Sequence, residues 1–323
     1  MTGVGWPDSA AAPRGLGWPQ VHGSQAEADA PLDAPTALEQ PSPIVPAHGV
    51  PRGTSPRVPR VLTVANQKGG VGKTTSTVNL AAALVSEGKR VLVLDLDPQG
   101  NASTALGIEH HRGVEDVYQV LIEGLPLGKA VVACPDLPGL DCAPATIDLA
   151  GAEIELVPLV AREFRLRKAL ETYLASSAEG YDVVLIDCPP SLGLLTVNAM
   201  TAASEVLIPI QCEYYALEGL QQLLQLVELV QQNLNERLHV STILLTMYDG
   251  RTRLAQQVAE DVRAHFSERV LRTVIPRSVR VSEAPSYGQT VVTYDPSSSG
   301  ALAYREAARE LVRQTATTQE AAR

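Results

Sequence analysis

The sequence predicts an α/β fold: a doubly wound, mostly parallel sheet with helices on both faces. Short apolar runs such as RVLTVA, RVLVLD and DVVLID recur along the chain and alternate with helical patterns. Strands that are apolar throughout are typical of parallel sheets covered on both faces. A glycine-rich segment, KGGVGKTT, also joins the first run to the first helical pattern, which predicts a strand–loop–helix unit.

The predicted elements follow from apolar periodicity and from the glycines and prolines that interrupt it. Strands are expected at 60–65, 90–95, 182–187, 205–210 and 240–246. Helices are expected at 74–86, 159–175, 194–203, 216–235, 252–266 and 300–314. In the helix at 216–235, Leu226 and Leu229 widen the apolar stripe, which indicates either deep packing or contact with another subunit.

Composition narrows the class of protein. The chain has 323 residues, of which 45% are hydrophobic, and this is enough for a sizeable core. It lacks both an apolar run of about 18 residues and an apolar leader after a basic start, so neither a transmembrane helix nor a signal peptide is expected. Four cysteines without a C-x-x-C motif favour a reducing, cytoplasmic environment.

The charge is unevenly distributed. The net charge of −10, taken over the whole chain, argues against nucleic acid as a partner. Residues 251–280 depart from this average, because they hold seven arginines against three acidic residues. A local basic segment of this kind is compatible with nucleic-acid binding inside an acidic protein.

Composition also divides the chain into three segments. Residues 1–59 hold eleven of the 23 prolines and both tryptophans, without apolar periodicity, and are predicted to be a disordered tail. One α/β domain is expected over 60–315, followed by a disordered C-terminus at 316–323. The tripeptide Gly-Trp-Pro occurs twice in the first segment, either by chance or as a short docking motif.

The segment NQKGGVGKTT, residues 66–75, is predicted to bind phosphate. Its glycines let backbone amides approach a phosphate group, and the following helix directs its positive end to the same place. Lys73 would contact the β- and γ-phosphates, and the Thr74 hydroxyl would bind Mg²⁺. The predicted nucleotide-binding residues are Lys68, Gly69, Gly70, Val71, Gly72, Lys73, Thr74 and Thr75.

Two carboxylates are expected to complete a metal site. Asp187 ends the run DVVLID, and Asp97 follows the run RVLVLD. Parallel strands bring their carboxyl ends to one edge of the sheet, so both should meet Lys73 there. Asp97 would orient the attacking water, or else it is only a turn residue before Pro98. Asp95 either serves the site or caps its strand.

Lys68 is a second lysine in the same loop. It precedes the glycines, so it cannot easily fold back onto the phosphates that its own loop holds. If a second copy of the chain faces it, Lys68 would reach the nucleotide of that copy and supply positive charge in trans. Dimerisation would then depend on the γ-phosphate.

The form K-G-G-x-G-K-T is the deviant Walker A signature, and it resembles the SIMIBI-class P-loop ATPases. This class includes partition proteins of the ParA/Soj type, MinD and the nitrogenase iron protein. The stretches DLDPQGNAS, LAGAEIELVP, IDCPPSLGLLTVNA, PIQCEYYALEGL and IPRSVRVSEAPSYG are similar to those of chromosomal ParA/Soj proteins. The resemblance covers about residues 60–315 and does not include the first segment.

The resemblance implies an ATPase that uses ATP and Mg²⁺ and forms an ATP-dependent sandwich homodimer. The dimer would bind double-stranded DNA without sequence preference. A ParB-type centromere-binding protein would stimulate slow hydrolysis and release, which segregates a chromosome origin or a plasmid. Such a protein is expected in the cytoplasm, associated with the nucleoid and not with a membrane.

The family also implies roles for particular residues. Lys68 corresponds to its signature lysine, Lys73 to its P-loop lysine and Asp97 to its hydrolysis-supporting aspartate. Thr74 corresponds to the magnesium ligand and Asp187 to the Walker B aspartate. The DNA-contacting arginines correspond to Arg251 and Arg280, and adenine contacts to Pro276 and Ser278.

Three alternatives differ in function. A membrane-cycling ATPase similar to MinD needs an amphipathic C-terminal helix, which the ending RELVRQTATTQEAAR does not provide. An iron–sulfur reductase similar to the nitrogenase iron protein needs cysteines at the dimer axis, and only Cys188 lies near the site. The third alternative is a nucleotide-switched regulatory scaffold with little hydrolysis, for example one that controls replication initiation.

Overall fold

The computed structural model describes residues 58–176, 180–213 and 218–321, and these residues fold around one sheet. The strand order across that sheet is β3-β4-β2-β5-β1-β6-β7, and all neighbours run parallel except β3 and β4. The predicted doubly wound, mostly parallel sheet is therefore confirmed. The strands are β1 (Arg60–Val64), β2 (Val91–Asp95), β3 (Val132–Ala133), β4 (Leu140–Ala143), β5 (Val183–Asp187), β6 (Glu205–Gln211) and β7 (His239–Thr246).

The helices cover both faces of the sheet. Short 3₁₀ or π segments lie at Gln119–Glu123, Arg162–Phe164, Ser267–Arg269 and Ala284–Tyr287. The α-helices are α1 (Lys73–Ser86), α2 (Asn101–Ala105), α3 (Leu127–Ala130), α4 (Leu149–Glu155), α5 (Arg165–Ser176), α6 (Leu194–Ala202), α7 (Glu218–Asn233), α8 (Arg253–Phe266), α9 (Val279–Glu283), α10 (Val291–Tyr294) and α11 (Ser299–Ala321).

The apolar core forms two layers, one on each face of the sheet. Successive residues of a strand point to opposite faces, so β2 contributes Leu92 and Leu94 to one layer and Val91 and Val93 to the other. The first layer packs against α3 to α8, and the second packs against α1, α2 and α9 to α11. Burial on both faces explains why the strands are continuously apolar in the sequence.

Some elements differ from those predicted. The helix expected over 159–175 begins only at Arg165, because Ala161 has a left-handed backbone (φ 52°) through which a helix cannot continue. The two strands β3 and β4 were not predicted, since two and four residues are too short for a periodicity argument. The last helix, α11, is longer than the one predicted over 300–314.

Three further predictions concern the apolar stripe of α7, membrane-spanning helices and the first segment of the chain. In α7, Leu223, Val227 and Val230 are buried, but Leu229 remains 58% exposed, so the helix is not packed on every side. No helix in the described ranges is both long enough and apolar enough to cross a membrane. The predicted segment 1–59, with its two Gly-Trp-Pro tripeptides, lies outside the described residues except for its last two.

Candidate nucleotide-binding site

The glycine-rich loop lies between the end of β1 and the start of α1. Gly72 caps α1 with a left-handed backbone (φ 87°), and Gly70 has the same handedness (φ 75°). Only glycine adopts this conformation readily. An added Cβ at Gly69 or Gly70 would meet no atom within 4 Å, so this stretch of backbone is open to an approaching phosphate.

Three hydrogen bonds hold the loop in place. Asn66 Nδ2 donates to Pro209 O at 2.7 Å, and Asn66 Oδ1 accepts from the backbone amide of Lys68 at 3.0 Å. Thr246 Oγ1 donates to Val71 O at 2.8 Å, and the Val71 side chain is buried. These hydrogen bonds therefore hold the loop against β6 and the carboxyl end of β7. The sequence did not identify Asn66 or Thr246 as part of the site.

Lys73 lies inside the site rather than in solvent. Its side chain is buried, and Nζ donates to Lys68 O at 3.3 Å. Burial lowers the pKa of this ammonium group, and the nearby charges of Asp187 and Asp97 partly oppose that shift. Burial removes the water that stabilises the positive charge of Lys73, and an anionic ligand would stabilise that charge instead.

The two strand-end aspartates lie side by side, because Asp95 and Asp187 are partners in the parallel register of β2 and β5. Burial, followed by the charge of Asp95, raises the pKa of the Asp187 carboxyl. Thr77 Oγ1 donates to Asp187 Oδ1 at 3.0 Å, and the hydroxyls of Thr74 and Thr77 partly oppose the rise in the pKa of this carboxyl. Thr77 was not identified from the sequence.

The other carboxylate oxygen of Asp187 is suited to a cation. Asp187 Oδ2 is buried and has no hydrogen-bond partner among the described residues. A carboxylate oxygen in this state is costly, and a cation or its bound water would satisfy it. Asp187 and Thr74 therefore fit a magnesium ion. The described residues hold no cluster of three or more His, Cys, Asp or Glu side chains suited to a metal.

Asp95 has a structural role. Its oxygens accept hydrogen bonds from the Asp97 amide at 3.1 Å, the Ser103 amide at 2.9 Å and Ser103 Oγ at 2.7 Å. These bonds fix the turn that carries Asp97. Asp97 itself is almost buried, and Oδ1 accepts from the Gln99 amide at 3.0 Å.

A cleft of about 750 Å³ opens above the loop. This volume is in the range of nucleotide-sized ligand sites. Asp97 lines it, and so does Glu153 of α4, whose Oε1 accepts from Ser191 Oγ at 3.3 Å. Glu153 lies in the stretch LAGAEIELVP but was not singled out from the sequence. The loop residues that line the cleft are Gly69, Gly70, Gly72, Lys73, Thr74 and Thr75.

Lys68, Pro276 and Ser278 are not among the residues that line this cleft. Lys68 Nζ donates instead to Glu213 Oε2 at 3.1 Å. The backbone of Pro276 forms an isolated parallel β-bridge with Tyr248, just after the end of β7. An added Cβ on Gly300 would lie 3.5 Å from the Ser278 side chain, so Ser278 faces the start of α11. These three residues therefore do not line the cleft with Lys73, although the Lys68 carbonyl oxygen accepts a hydrogen bond from Lys73 Nζ.

The two predicted DNA-contacting arginines are exposed, and both are paired with carboxylates. Arg251 donates to Asp249 through Nε at 2.9 Å and Nη2 at 2.8 Å, and this pair lowers the pKa of Asp249 to about 2. Arg280 Nη1 donates to Glu283 at 3.0 Å, and its Nε lies 3.5 Å from Asp295.

Comparisons with known proteins identify the family of this chain. A family model described as an AAA domain matches residues 59–240. The sporulation initiation inhibitor protein Soj of Bacillus subtilis is 53% identical over 78% of this chain and 98% of its own length. The chromosome partitioning protein ParA of Caulobacter vibrioides is 54% identical over 78% of this chain and 94% of its own length.

A solved structure also carries ligands. Cobyrinic acid a,c-diamide synthase from Mycobacterium smegmatis, determined with a bound ATP analogue and magnesium, is 40% identical. It aligns with 81% of this chain and 97% of its own length, with a TM-score of 0.69. The curated relatives Soj and ParA, at 53% and 54% identity, are more similar in sequence to this chain than that synthase is. The chain therefore belongs to the Soj/ParA family of chromosome-partitioning ATPases.

Proposed function

We propose that this protein is an ATP-dependent DNA-partitioning protein that hydrolyses ATP to ADP and phosphate. The observation that carries the proposal is that Lys73, Thr74 and Asp97 line one cleft whose loop backbone is open to phosphate, with the Asp187 carboxylate buried beside it and held by Thr77. Lys73 neutralises the β- and γ-phosphates, and Asp97 orients the attacking water. Burial and the charge of Asp95 raise the pKa of Asp187, so a cation beside this carboxyl would favour its ionised form.

Magnesium is the cation that this group of residues fits. Thr74 and Asp187 would hold it, with Asp97 nearby. When bound, the ion neutralises charge on the phosphate oxygens and helps to orient them. Thr77 contributes by fixing the Asp187 carboxylate through its hydrogen bond at 3.0 Å. Hydrolysis is accordingly Mg²⁺-dependent, and the family resemblance implies that it is slow without a partner protein.

ATP binding drives formation of a sandwich homodimer in which Lys68 crosses to the nucleotide of the partner subunit. Two observations support this role. Lys68 is outside the lining of its own cleft, and its pair with Glu213 is half exposed, so the lysine can leave it at little cost. Exposed apolar side chains, namely Ile147, Ile154, Val157 and Val160, also surround α4, which lines the cleft. Such a surface is suited to contact with a second copy.

The dimer binds double-stranded DNA without sequence preference through Arg251 and Arg280. Arginine contacts to phosphates carry no base information and weaken as salt rises. Dimerisation doubles the number of such contacts, so ATP increases DNA affinity without moving either arginine. A ParB-type partner then stimulates hydrolysis and release. The protein accordingly acts in the cytoplasm on the nucleoid, where it segregates a chromosome origin or a plasmid.

The deciding experiment measures binding of the full chain to random-sequence duplex DNA with ATP, ADP or no nucleotide, at two salt concentrations. The expected result is binding that requires ATP, weakens with salt and is lost in Arg280→Glu. If ATP drives dimerisation while DNA is ignored in every nucleotide state, the protein is a nucleotide-switched scaffold and the DNA part of the proposal fails. A chain that neither binds nor hydrolyses ATP would overturn the proposal as a whole.

A further inference from the structure

A second cleft lies away from the nucleotide site. It has a volume of about 510 Å³ and runs between α5 and the segment at 120–129. None of its lining residues lines the nucleotide cleft. The elements that form it pack on the sheet face opposite to α1 and α9. The nucleotide therefore does not explain this cleft, and neither Arg251 nor Arg280 is among its lining residues.

Its floor is apolar and well ordered by packing. Val120 and Leu127 are buried in the core beneath it, and Leu125, Ala169 and Tyr173 are partly buried against the same core. Tyr173 is fixed by a hydrogen bond of 3.0 Å between its hydroxyl and that of Tyr181. A preformed apolar floor of this kind is typical of ligand sites.

The described lining of this cleft carries positive charge. Lys129, Arg165 and Lys168 line it, and no Asp or Glu of the described ranges does. Two of the five lysines of a chain with a net charge of −10 thus lie at one cleft. Lys129 and Lys168 are exposed and make no salt bridge within the described residues.

Arg165 adds to the positive charge of this cleft. Its guanidinium is half-buried and donates to the carbonyl oxygens of Leu121 and Ile122, the latter at 3.2 Å. Those carbonyls accept hydrogen bonds from two of its nitrogens but do not neutralise its charge. A partly buried cation without a carboxylate is favourable to an incoming anion.

The shape of the cleft indicates an extended ligand. The lining residues of α5 fall at 165, 168, 169, 172, 173 and 176, which is one face of the helix along nearly its whole length. Eleven residue steps of a helix extend about 16 Å, which matches about five residues of an extended peptide. A single small anion would leave most of this face uncovered.

We propose that this cleft binds an acidic peptide segment of a partner protein, with an apolar side chain on the floor and carboxylates near Lys129 and Lys168. The apolar floor favours a peptide over the phosphate backbone of a nucleic acid, which offers no side chain to bury there. Binding here does not require the nucleotide site, so it is independent of the function proposed above.

The test uses the full chain and a short fluorescent peptide of alternating leucine and glutamate, followed by anisotropy. The cleft variant is Lys129→Glu with Lys168→Glu. The control variant is Lys89→Glu with Arg237→Glu, which makes the same total charge change outside the cleft. We expect the cleft variant to lose roughly tenfold or more in peptide affinity and the control to lose little.

Further arms separate apolar docking from charge attraction. A peptide with serine in place of leucine should bind weakly, and one with lysine in place of glutamate should not bind. Ala169→Phe, which fills the cleft without changing charge, should also weaken binding, with retained ATP binding and circular dichroism as evidence of folding. Equal binding by the cleft and control variants would overturn the proposal. It would also be overturned if duplex DNA displaces the peptide and the cleft variant loses DNA affinity to the same degree.

Discussion

Lys68 Nζ lies 3.1 Å from Glu213 Oε2, so the lysine that we propose to act in trans is paired within its own subunit. The side chains of Lys68 and Glu213 are 34% and 47% exposed, and Arg277 Nη2 lies 4.0 Å from the other oxygen of Glu213. Such a solvated pair is weak and exchangeable. If Lys68 leaves, Glu213 still has a cation beside it.

A first prediction follows for dimerisation. Lys68→Ala should bind ATP but fail to dimerise, because Lys73 and the glycine loop remain while the trans contact is lost. Glu213→Gln should dimerise at a protein concentration about two- to fivefold lower, because an exposed pair no longer holds Lys68 back. Mass measured by light scattering with ATP and with ADP tests both variants. ATP-dependent dimers of Lys68→Ala would contradict the trans role.

A second prediction concerns DNA affinity. Glu283 and Asp295 compete with DNA phosphates for Arg280, since they pair with it at 3.0 and 3.5 Å. Glu283→Gln with Asp295→Asn should therefore raise DNA affinity about two- to fivefold, beyond the change caused by net charge alone. The matched control is Glu87→Gln with Glu306→Gln, which also removes two carboxylates, but ones paired with Arg309 and Arg313. Equal gains in both proteins would show only a general charge effect.

A third prediction compares two buried threonines, of which only one contacts the proposed magnesium ligand Asp187. Thr77→Val removes the hydrogen bond to Asp187 and should raise the Mg²⁺ concentration for half-maximal ATP hydrolysis about tenfold. Its free energy of unfolding should fall by about 1–2 kcal/mol. Thr63→Val is the control, because Thr63 Oγ1 is buried without a partner among the described residues. That variant should keep its Mg²⁺ dependence and be as stable as the parent or more so.

A fourth prediction separates two glycines of the loop. Gly72→Ala should lower the free energy of unfolding by about 1 kcal/mol without nucleotide, because Gly72 has φ 87°. Crowding is not the cause, since the nearest atoms to an added Cβ lie at 3.9 Å. Gly69→Ala should leave this stability unchanged, because Gly69 is not left-handed and its Cβ would meet nothing within 4 Å. Urea unfolding of the two variants is the comparison.

A fifth prediction concerns pH. Arg60 donates to both oxygens of Glu205 at 2.8 and 2.6 Å, joining β1 to β6. Burial alone would raise the pKa of Glu205, but these bonds and the charge of Arg60 outweigh it and lower the pKa. Since the folded pKa lies below the unfolded value of about 4.5, the pair stabilises the protein above that pH. The stabilisation is lost as pH falls through the lowered pKa.

Glu205→Gln should therefore be less stable than the parent by about 3 kcal/mol at pH 7, with the difference shrinking below about pH 4.5. Urea unfolding at pH 7, 5 and 4 measures this difference. Because the variant keeps the histidines and the other carboxylates, their titration cancels in the comparison. A gap that stays constant down to pH 4 would show that the loss comes from packing rather than from the ion pair.

Local sequence determined the fold class and the phosphate loop. Strands such as β5 and β2 are apolar throughout because both of their faces are buried, and that pattern is visible without a structure. The loop glycines are recognisable because their backbone conformation excludes other residues. Aspartates at strand ends were predictable for a related reason, since parallel strands deliver their ends to one edge of the sheet.

Tertiary structure decided what distant residues do to one another. The pairing of Lys68 with Glu213 spans 145 positions, and the bond from Thr77 to Asp187 spans 110. The periodicity of the sequence does not encode such contacts, because they depend on which strands lie next to each other in the sheet. The same holds for the cleft of Lys129 and Lys168, whose cations come from two segments that look like ordinary solvated surface in the sequence. The sequence determined which chemical groups the protein has, and packing decided which of them meet, because burial and proximity are properties of the folded chain alone.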